Sequence, residues 1–230
     1  MLSIDKQSYN VRVFNKDFLL LENQEPDQSN TLIGEAILKA NLPFISEVIA
    51  TEVEICIKLN DLFKIDSLKA LENISTDKNS KISEYFIPVC FEQEYDWKLI
   101  EESSSISKSD YINKLLDLEF SIAMFGFLPG FVYLNGLDES MYVPRKSNPS
   151  KRVPENSIAV GGKYLGFYSL SSPGGWNVIG RSAISLLNLN ELPPVQMQSS
   201  SLIRLKEISL SEYKNLKNKN LSLSDYNGQS

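Results

Sequence analysis

Histidine is absent from this 230-residue sequence, which excludes every mechanism that needs an imidazole within it: a Ser-His-Asp triad, a Cys-His dyad and histidine-ligated zinc. Cysteine is nearly absent. The two thiols, Cys56 and Cys90, are too few for a thiolate zinc site or a framework of bridges, and they read as buried residues of a reducing compartment. Cys90 sits in the apolar run IPVCF with nothing nearby to lower its pKa, so a nucleophilic role is not expected of it. No apolar run approaches the roughly 18 residues of a membrane span, and MLSIDKQSYN lacks the basic-then-apolar order of a signal peptide, so the expected address is the cytoplasm. Excess positive charge is missing as well. With a net charge of −6 and scattered acidic residues, neither nucleic acid nor an anionic membrane is an expected partner. Chemistry in this chain is left to carboxylates, Lys, Arg, Tyr, backbone N–H groups or a partner's residues; no catalytic residue and no metal ligand stands out.

The sequence does have apolar content, 42% of residues, enough for one large domain or two small ones. In the first third, YNVRVF and DFLLLE predict a hairpin around Asn15 and Lys16, TLIGEAILKA has helical spacing, and two extended segments fall within 45–59. An amphipathic helix is predicted over 62–74. This order predicts a small α+β sandwich domain, residues 1–82, with helices on one face of an antiparallel sheet. The polar stretch STDKNSKIS reads as the linker to a second domain, 83–230. There, YFIPVCF reads as a strand, 95–102 as a helix, and a second helix begins near Asp110, capped by Ser107 in an S-x-x-D arrangement. Short strands broken by Gly, Pro, Asn and Ser then run to about Ile208, the pattern of a barrel or sandwich. The polar end, LKNKNLSLSDYNGQS, reads as frayed.

Four motifs carry the candidate chemistry. FGFLPGFVYLNGLD sets Phe125, Phe127, Phe131 and Tyr133 around Pro129 and Gly130, either as two core strands or as the wall of an apolar pocket. PRKSNPSKRVP holds Arg145 between prolines, either solvated or as a fixed fork for a carboxylate or phosphate. AVGGKYLGFY contains Gly162 before a lysine, but a P-loop needs glycine where Ser157 stands and Ser or Thr where Tyr164 stands, so it is no nucleotide site. SPGGWNVIGR is either a tight turn capped by Trp176 or an anion site. In the second reading Gly174 and Gly175 present N–H groups, Trp176 forms a wall and Arg181 supplies a counter-charge.

IPVCF, FGFLPGFVYLNGLD, PRKSNPSKRVP, SIAVGGKYLGFY and SPGGWNVIGR, in this order and spacing, resemble the B subunit of prokaryotic 5-oxoprolinase. The family is also known as allophanate hydrolase subunit 1 and includes an inhibitor of a sporulation histidine kinase. The resemblance implies an α+β N-terminal domain followed by a mainly-β cyclophilin-like barrel. It implies two partners, a large C subunit related to a domain of urea amidolyase and an A subunit. Together they open 5-oxoproline to glutamate with ATP, which the complex binds rather than this chain alone. It also implies a small anionic substrate held by Phe127, Pro129, Phe131, Arg145, Gly162, Ser172, Gly174, Gly175, Trp176 and Arg181. The chain departs from the family pattern at several positions: KLLDLEF lacks the usual histidine, Tyr164 and Leu165 replace a Gln-Thr pair, Glu92 and Gln93 replace two glycines, and Ser150 replaces an arginine. Lost polar groups change what a pocket recognises. The expected function is therefore a non-autonomous subunit of an ATP-dependent cyclic-amide hydrolase. The alternative is a regulatory module that inhibits a histidine kinase by holding a peptide against Phe127, Phe131 and Trp176.

Overall fold

Alternating buried and exposed side chains build the N-terminal sheet from β1 (Leu2–Ile4), β2 (Gln7–Phe14), β3 (Phe18–Asn23), β4 (Ile45–Ala50) and β5 (Glu54–Leu59). The computed structural model describes residues 1–25, 29–76, 83–93, 95–191, 193–195, 197–219 and 221–227. They form two compact units, Met1–Lys81 and Ile82–Ser230. The first sheet is antiparallel in the order β1-β2-β3-β5-β4. Its β2–β3 turn carries Asn15 and Lys16 at φ 53° and 63°, the backbone that matches hairpin twist. Helix α1 (Ser29–Lys39) lays Ile33 and Ile37 on the sheet face formed by Tyr9, Leu19, Leu21, Ile55 and Ile57, all essentially buried. Each such Leu or Ile contributes about 1.5–3 kcal/mol.

The helix expected over 62–74 is shorter. A 3-10 turn, Ile65–Ser67, leads into α2 (Leu68–Glu72). The Leu62 N–H donates to the Asn60 side chain at 2.9 Å, and the Lys64 N–H to the Ser67 hydroxyl at 3.3 Å. These local bonds compete with helix, and Ile65 stays 67% exposed, so nothing buries the first half of the stretch. Most of the expected linker, residues 77–82, lies outside the described residues.

The second unit begins with β6 (Glu84–Cys90), α3 (Trp97–Ser104) and α4 (Lys108–Asp117). The Ser107 hydroxyl caps α4, accepting the Asp110 N–H at 3.2 Å and donating to its carboxylate at 2.7 Å. Strands follow: β7 (Phe120–Phe125), β8 (Val132–Asn135), β9 (Ser150–Val153), β10 (Ser157–Gly161), β11 (Tyr164–Tyr168), β12 (Ser172–Gly174), β13 (Asn177–Ser182) and β14 (Leu202–Glu207). Seven of the unit's strands close a barrel in the order β10-β11-β8-β7-β14-β6-β13, while β12 and β9 form a separate ribbon. Among the described residues, only the β14–β6 pair of the barrel is parallel. The strands' inward residues, among them Val89, Phe120, Val132, Leu134, Ile158, Leu165, Phe167 and Ile179, fill the core, and Trp97, Ile100, Tyr111 and Leu115 join it from α3 and α4.

The polar end is not frayed where it is described. Helices α5 (Leu210–Lys219) and α6 (Leu223–Asn227) are anchored by buried Tyr213 and Leu223. The Asn227 side chain also pairs with the backbone of Phe86, accepting at 2.7 Å and donating at 3.2 Å. Two apolar anchors and one amide suffice to hold a stretch whose composition reads as solvent-exposed. Among the described residues no helix is long and apolar enough to cross a membrane.

Candidate functional site

Three connections of the barrel meet around a cleft of about 340 Å³. The β7–β8 turn brings Phe127 and Phe131. The chain between β8 and β9 brings Arg145, Lys146 and Pro149, β12 brings Pro173 and Gly174, and the β12–β13 turn brings Gly175 and Trp176. Tyr133 of β8 and Tyr168 of β11 complete the lining.

Aromatic rings meeting edge to face make the wall. Phe131 lies 4.9 Å from Tyr168 and 5.7 Å from Trp176, and Tyr133 lies 5.4 Å from Trp176 between ring centroids. Phe127 caps Phe131 at 5.4 Å yet is 60% exposed. Its φ of 69° is an outlier for a bulky side chain, strain of the kind that a fixed tertiary setting maintains. At Gly130, φ 72°, a Cβ would meet Leu187 and Ser169 at 3.1 Å, so the turn requires glycine.

Trp176 is 4% exposed because two glycines make room for it. A Cβ at Gly161 would stand 2.6 Å from the indole Cγ, and one at Gly166 would stand 2.9 Å from both indole Cε3 and Phe131 Cζ. Gly161 and Gly166 belong to the adjacent strands β10 and β11, so the glycines that resemble part of a phosphate loop form the seat of the tryptophan. Gly162, at φ 65°, turns the chain and donates its N–H to Val143 at 2.7 Å.

The charges divide into one that is fixed and one that is free. Lys146 Nζ reaches Asp96 Oδ2 and Ser150 Oγ at 2.8 Å each, and its side chain is 10% exposed. The same Asp96 oxygen accepts the Val178 N–H at 2.8 Å, while the Lys146 N–H donates to Gly175 at 2.7 Å. The loop is thereby laced to β13 and to the start of α3, whose N-cap is Asp96. Arg145 stacks 5.7 Å above the Trp176 ring and forms no ion pair among the described residues. Burial raises the Tyr133 and Tyr168 phenols above their ordinary value, opposed by the backbone of Trp176 at Tyr168 and by Arg145 in both. Both phenols are neutral near pH 7. The cleft can bind and orient an anion, but none of its described side chains is placed to take up a proton.

Of the residues expected from the sequence, Phe127, Phe131, Arg145, Gly174, Gly175 and Trp176 come together here. Four do not. Pro129 is not among the lining residues, and its carbonyl accepts the Ser169 hydroxyl at 2.5 Å. Gly162 serves the turn just described. Ser172 is buried in β12, its hydroxyl without a partner among the described residues. Arg181 is carried along β13 about 13 Å beyond Asn177; there it donates to the Glu155 carbonyl at 3.0 Å and lies 6.0 Å over Tyr213. The counter-charge of the cleft is Arg145. The glycine pair also differs from the expected anion nest: neither residue has positive φ, Gly174 pairs with Ser150 in the ribbon, and the Gly175 carbonyl is occupied by Lys146.

Sequence reasoning misses Lys146 and Pro149 as lining, whereas Tyr133 stands in the aromatic wall it expects. Two-residue alternation puts Tyr133 on the face of β8 next to Phe131 and is a usable signal for it. Nothing in the sequence links Asp96 to Lys146.

Residues 9–197 match the family model "Carboxyltransferase domain, subdomain C and D". The chain is 32% identical over 154 residues to the B subunit of the 5-oxoprolinase of Bacillus subtilis, covering 65% of this chain and 63% of that one. It is 38% identical over 85 residues to the B subunit of the 5-oxoprolinase of Haemophilus influenzae, covering 37% and 40%. The chain thus spans less than two thirds of the length of these relatives. Among solved structures, TTHA0988 is similar with a TM-score of 0.75 at 24% identity, over 87% of this chain and 40% of that one. The K. lactis urea amidolyase is similar with a TM-score of 0.71 at 18% identity, over 93% and 16%. These two likenesses show the fold.

Proposed function

The chain belongs to the family of carboxyltransferase domain, subdomains C and D, and on that premise we propose that it is the B subunit of a 5-oxoprolinase-like amide hydrolase. In this reading it acts with C and A subunits on 5-oxoproline or a related small cyclic amide. The relatives named as 5-oxoprolinase B subunits support the class of system. The observation that carries the reading is the Arg145 guanidinium, held over Trp176 at the mouth of an apolar cleft with no ion pair among the described residues. A guanidinium offers a planar fork to a carboxylate, and the low-dielectric wall strengthens that bond.

Within this division of labour the chain binds and orients. Arg145 holds the substrate carboxylate, Trp176 and Phe131 cover its body and exclude water, and the Lys146–Asp96 pair fixes the loop that carries Arg145. Orientation of this kind lowers a barrier without any proton transfer by the chain itself. The residues present do not fit ATP. Among its described residues the cleft has one free cation, and the glycines nearest a lysine seat Trp176 and turn the strand instead of facing a ligand. Nucleotide and proton-transfer groups therefore belong to the partner subunits.

Purification of the tagged chain from native extract tests the proposal. A C-subunit homologue should be recovered in constant stoichiometry, and the complex should consume a cyclic amide only with ATP and only with this chain present. Recovery of a histidine kinase instead, or equal turnover without the chain, would contradict it.

A further inference from the structure

The cleft carries more uncommitted donors than its charge suggests. Besides the Arg145 guanidinium, the Gly175 N–H, the Trp176 indole N–H and the Tyr133 and Tyr168 hydroxyls donate to no group among the described residues. Tyr168 is the most deeply set of these residues, at 2% exposed. The backbone of Trp176 faces its oxygen and lowers the phenol pKa, as an approaching N–H does, while burial, the larger influence, keeps the phenol protonated at pH 7. A hydroxyl met in this way at a lone pair directs its own O–H elsewhere. Left without an acceptor, that buried O–H carries a desolvation cost that a ligand oxygen would remove.

A second, independent observation comes from the opposite side of the hydroxyl. A Cβ at Gly174 would collide with the Tyr168 oxygen. Gly174 has no positive φ that would require glycine, so what the missing side chain provides is space over the hydroxyl. The Tyr168 O–H is thereby buried, protonated and uncovered at once.

Building on the reading of the cleft as a site for 5-oxoproline or a related cyclic amide, we propose that Tyr168 is the residue by which this chain reads the amide carbonyl. Its O–H donates to the carbonyl oxygen, while the planar fork of Arg145 engages both oxygens of the carboxylate. Phe131, 4.9 Å from Tyr168 and 5.7 Å from Trp176 between ring centroids, supplies the apolar surface between the two contacts. The ligand class that follows is a small ring acid with a neutral carbonyl on the ring. A ring acid without that carbonyl leaves the Tyr168 O–H unpaired, which is how a polar site discriminates.

Calorimetric titration of the full chain compares four ligands. They are 5-oxoproline, 3-oxocyclopentanecarboxylate, in which a methylene replaces the ring N–H, cyclopentanecarboxylate, which also lacks the carbonyl, and 2-pyrrolidinone, which lacks the carboxylate. The first two are expected to bind about tenfold tighter than cyclopentanecarboxylate. Tyr168→Phe keeps the buried ring and should erase that difference while leaving cyclopentanecarboxylate within about twofold of its parent affinity. Arg145→Gln should weaken all three acids about tenfold or more and leave 2-pyrrolidinone unchanged. The proposal is overturned if Tyr168→Phe retains the preference, or if it weakens cyclopentanecarboxylate as much as 5-oxoproline, the mark of a purely structural role. Binding of 5-oxoproline by the parent chain no tighter than that of cyclopentanecarboxylate, or not at all, would overturn it as well. None of these outcomes bears on recovery of a C subunit or on ATP-dependent turnover, so failure here is distinguishable from failure of the functional reading.

Discussion

The two tryptophans of this chain have nearly the same burial and opposite uses. Trp97 is 6% exposed, packed edge-on to Phe91 and Tyr111 at 6.2 and 6.0 Å, with Lys108 5.3 Å over its ring. Trp176 is 4% exposed, edge-on to Phe131 and Tyr133, with Arg145 5.7 Å over its ring. An indole, aromatic neighbours and a cation overhead are thus common to a core residue and to a cleft wall. What differs is the surrounding relief. Glycines seat Trp176 and a cleft opens beside it, whereas Trp97, at the start of α3, is packed into the barrel core with residues of α4. Space next to the ring, rather than the ring itself, marks the site.

Substitution separates the two most strongly. Trp97→Ala and Trp176→Ala should each cost about 3–5 kcal/mol in chemical unfolding. Only the second should abolish turnover per folded molecule in the reconstituted complex. If Trp97→Ala abolished it equally, the contrast would fail. Next in size is a pair of glycines. Gly166→Val drives a side chain into the Trp176 seat and should destabilise by about 1–3 kcal/mol while removing the cleft. At Gly175 a Cβ would find its nearest neighbours at 3.7 Å, so Gly175→Ala should fall within about 0.5 kcal/mol of the parent. Thermal unfolding of the two variants side by side measures the difference.

A smaller effect belongs to the clamp. Asp96→Asn removes the charge that holds a largely buried lysine and should cost about 1–3 kcal/mol. By releasing the loop it should also raise KM more than it lowers kcat, which steady-state kinetics would separate. The smallest effect concerns pH. The Tyr133 and Tyr168 phenols titrate above their ordinary value of 10.0 in the folded chain, so their contribution to stability is fully present below that pH and is lost as pH rises past it. The share of the unfolding free energy that these two phenols supply should therefore decline above about pH 10, with less decline in Tyr168→Phe. With no histidine in the chain, its affinity for an anionic ligand should be flat between about pH 6 and 8.

Local signals in the sequence predict local structure well. The hairpin at Asn15 and Lys16, the Ser107 cap and the alternation leading to β5 all depend on residues adjacent in the chain. Phe127, Phe131, Arg145 and Trp176 are legible for the same reason, each set in a Gly- or Pro-rich turn that fixes its direction. Arg181 shows where such reading stops. It shares a motif with Trp176, but an extended strand separates motif neighbours by several ångströms per pair of residues. The Asp96–Lys146 clamp is illegible because it joins residues far apart in sequence. Helix over 62–74 and fraying over 216–230 fail for a related reason: Asn60 and Ser67 redirect one backbone, while Tyr213, Leu223 and Asn227 tie down the other.

The central claim is that Arg145 over Trp176 holds the carboxylate of the substrate. Its most direct test is ATP-dependent turnover by the reconstituted complex carrying Arg145→Gln, with assembly followed by size-exclusion chromatography. The complex should remain intact while kcat/KM falls by about 10- to 100-fold, the worth of one charge-assisted bond. An intact complex with unchanged kcat/KM would refute the claim.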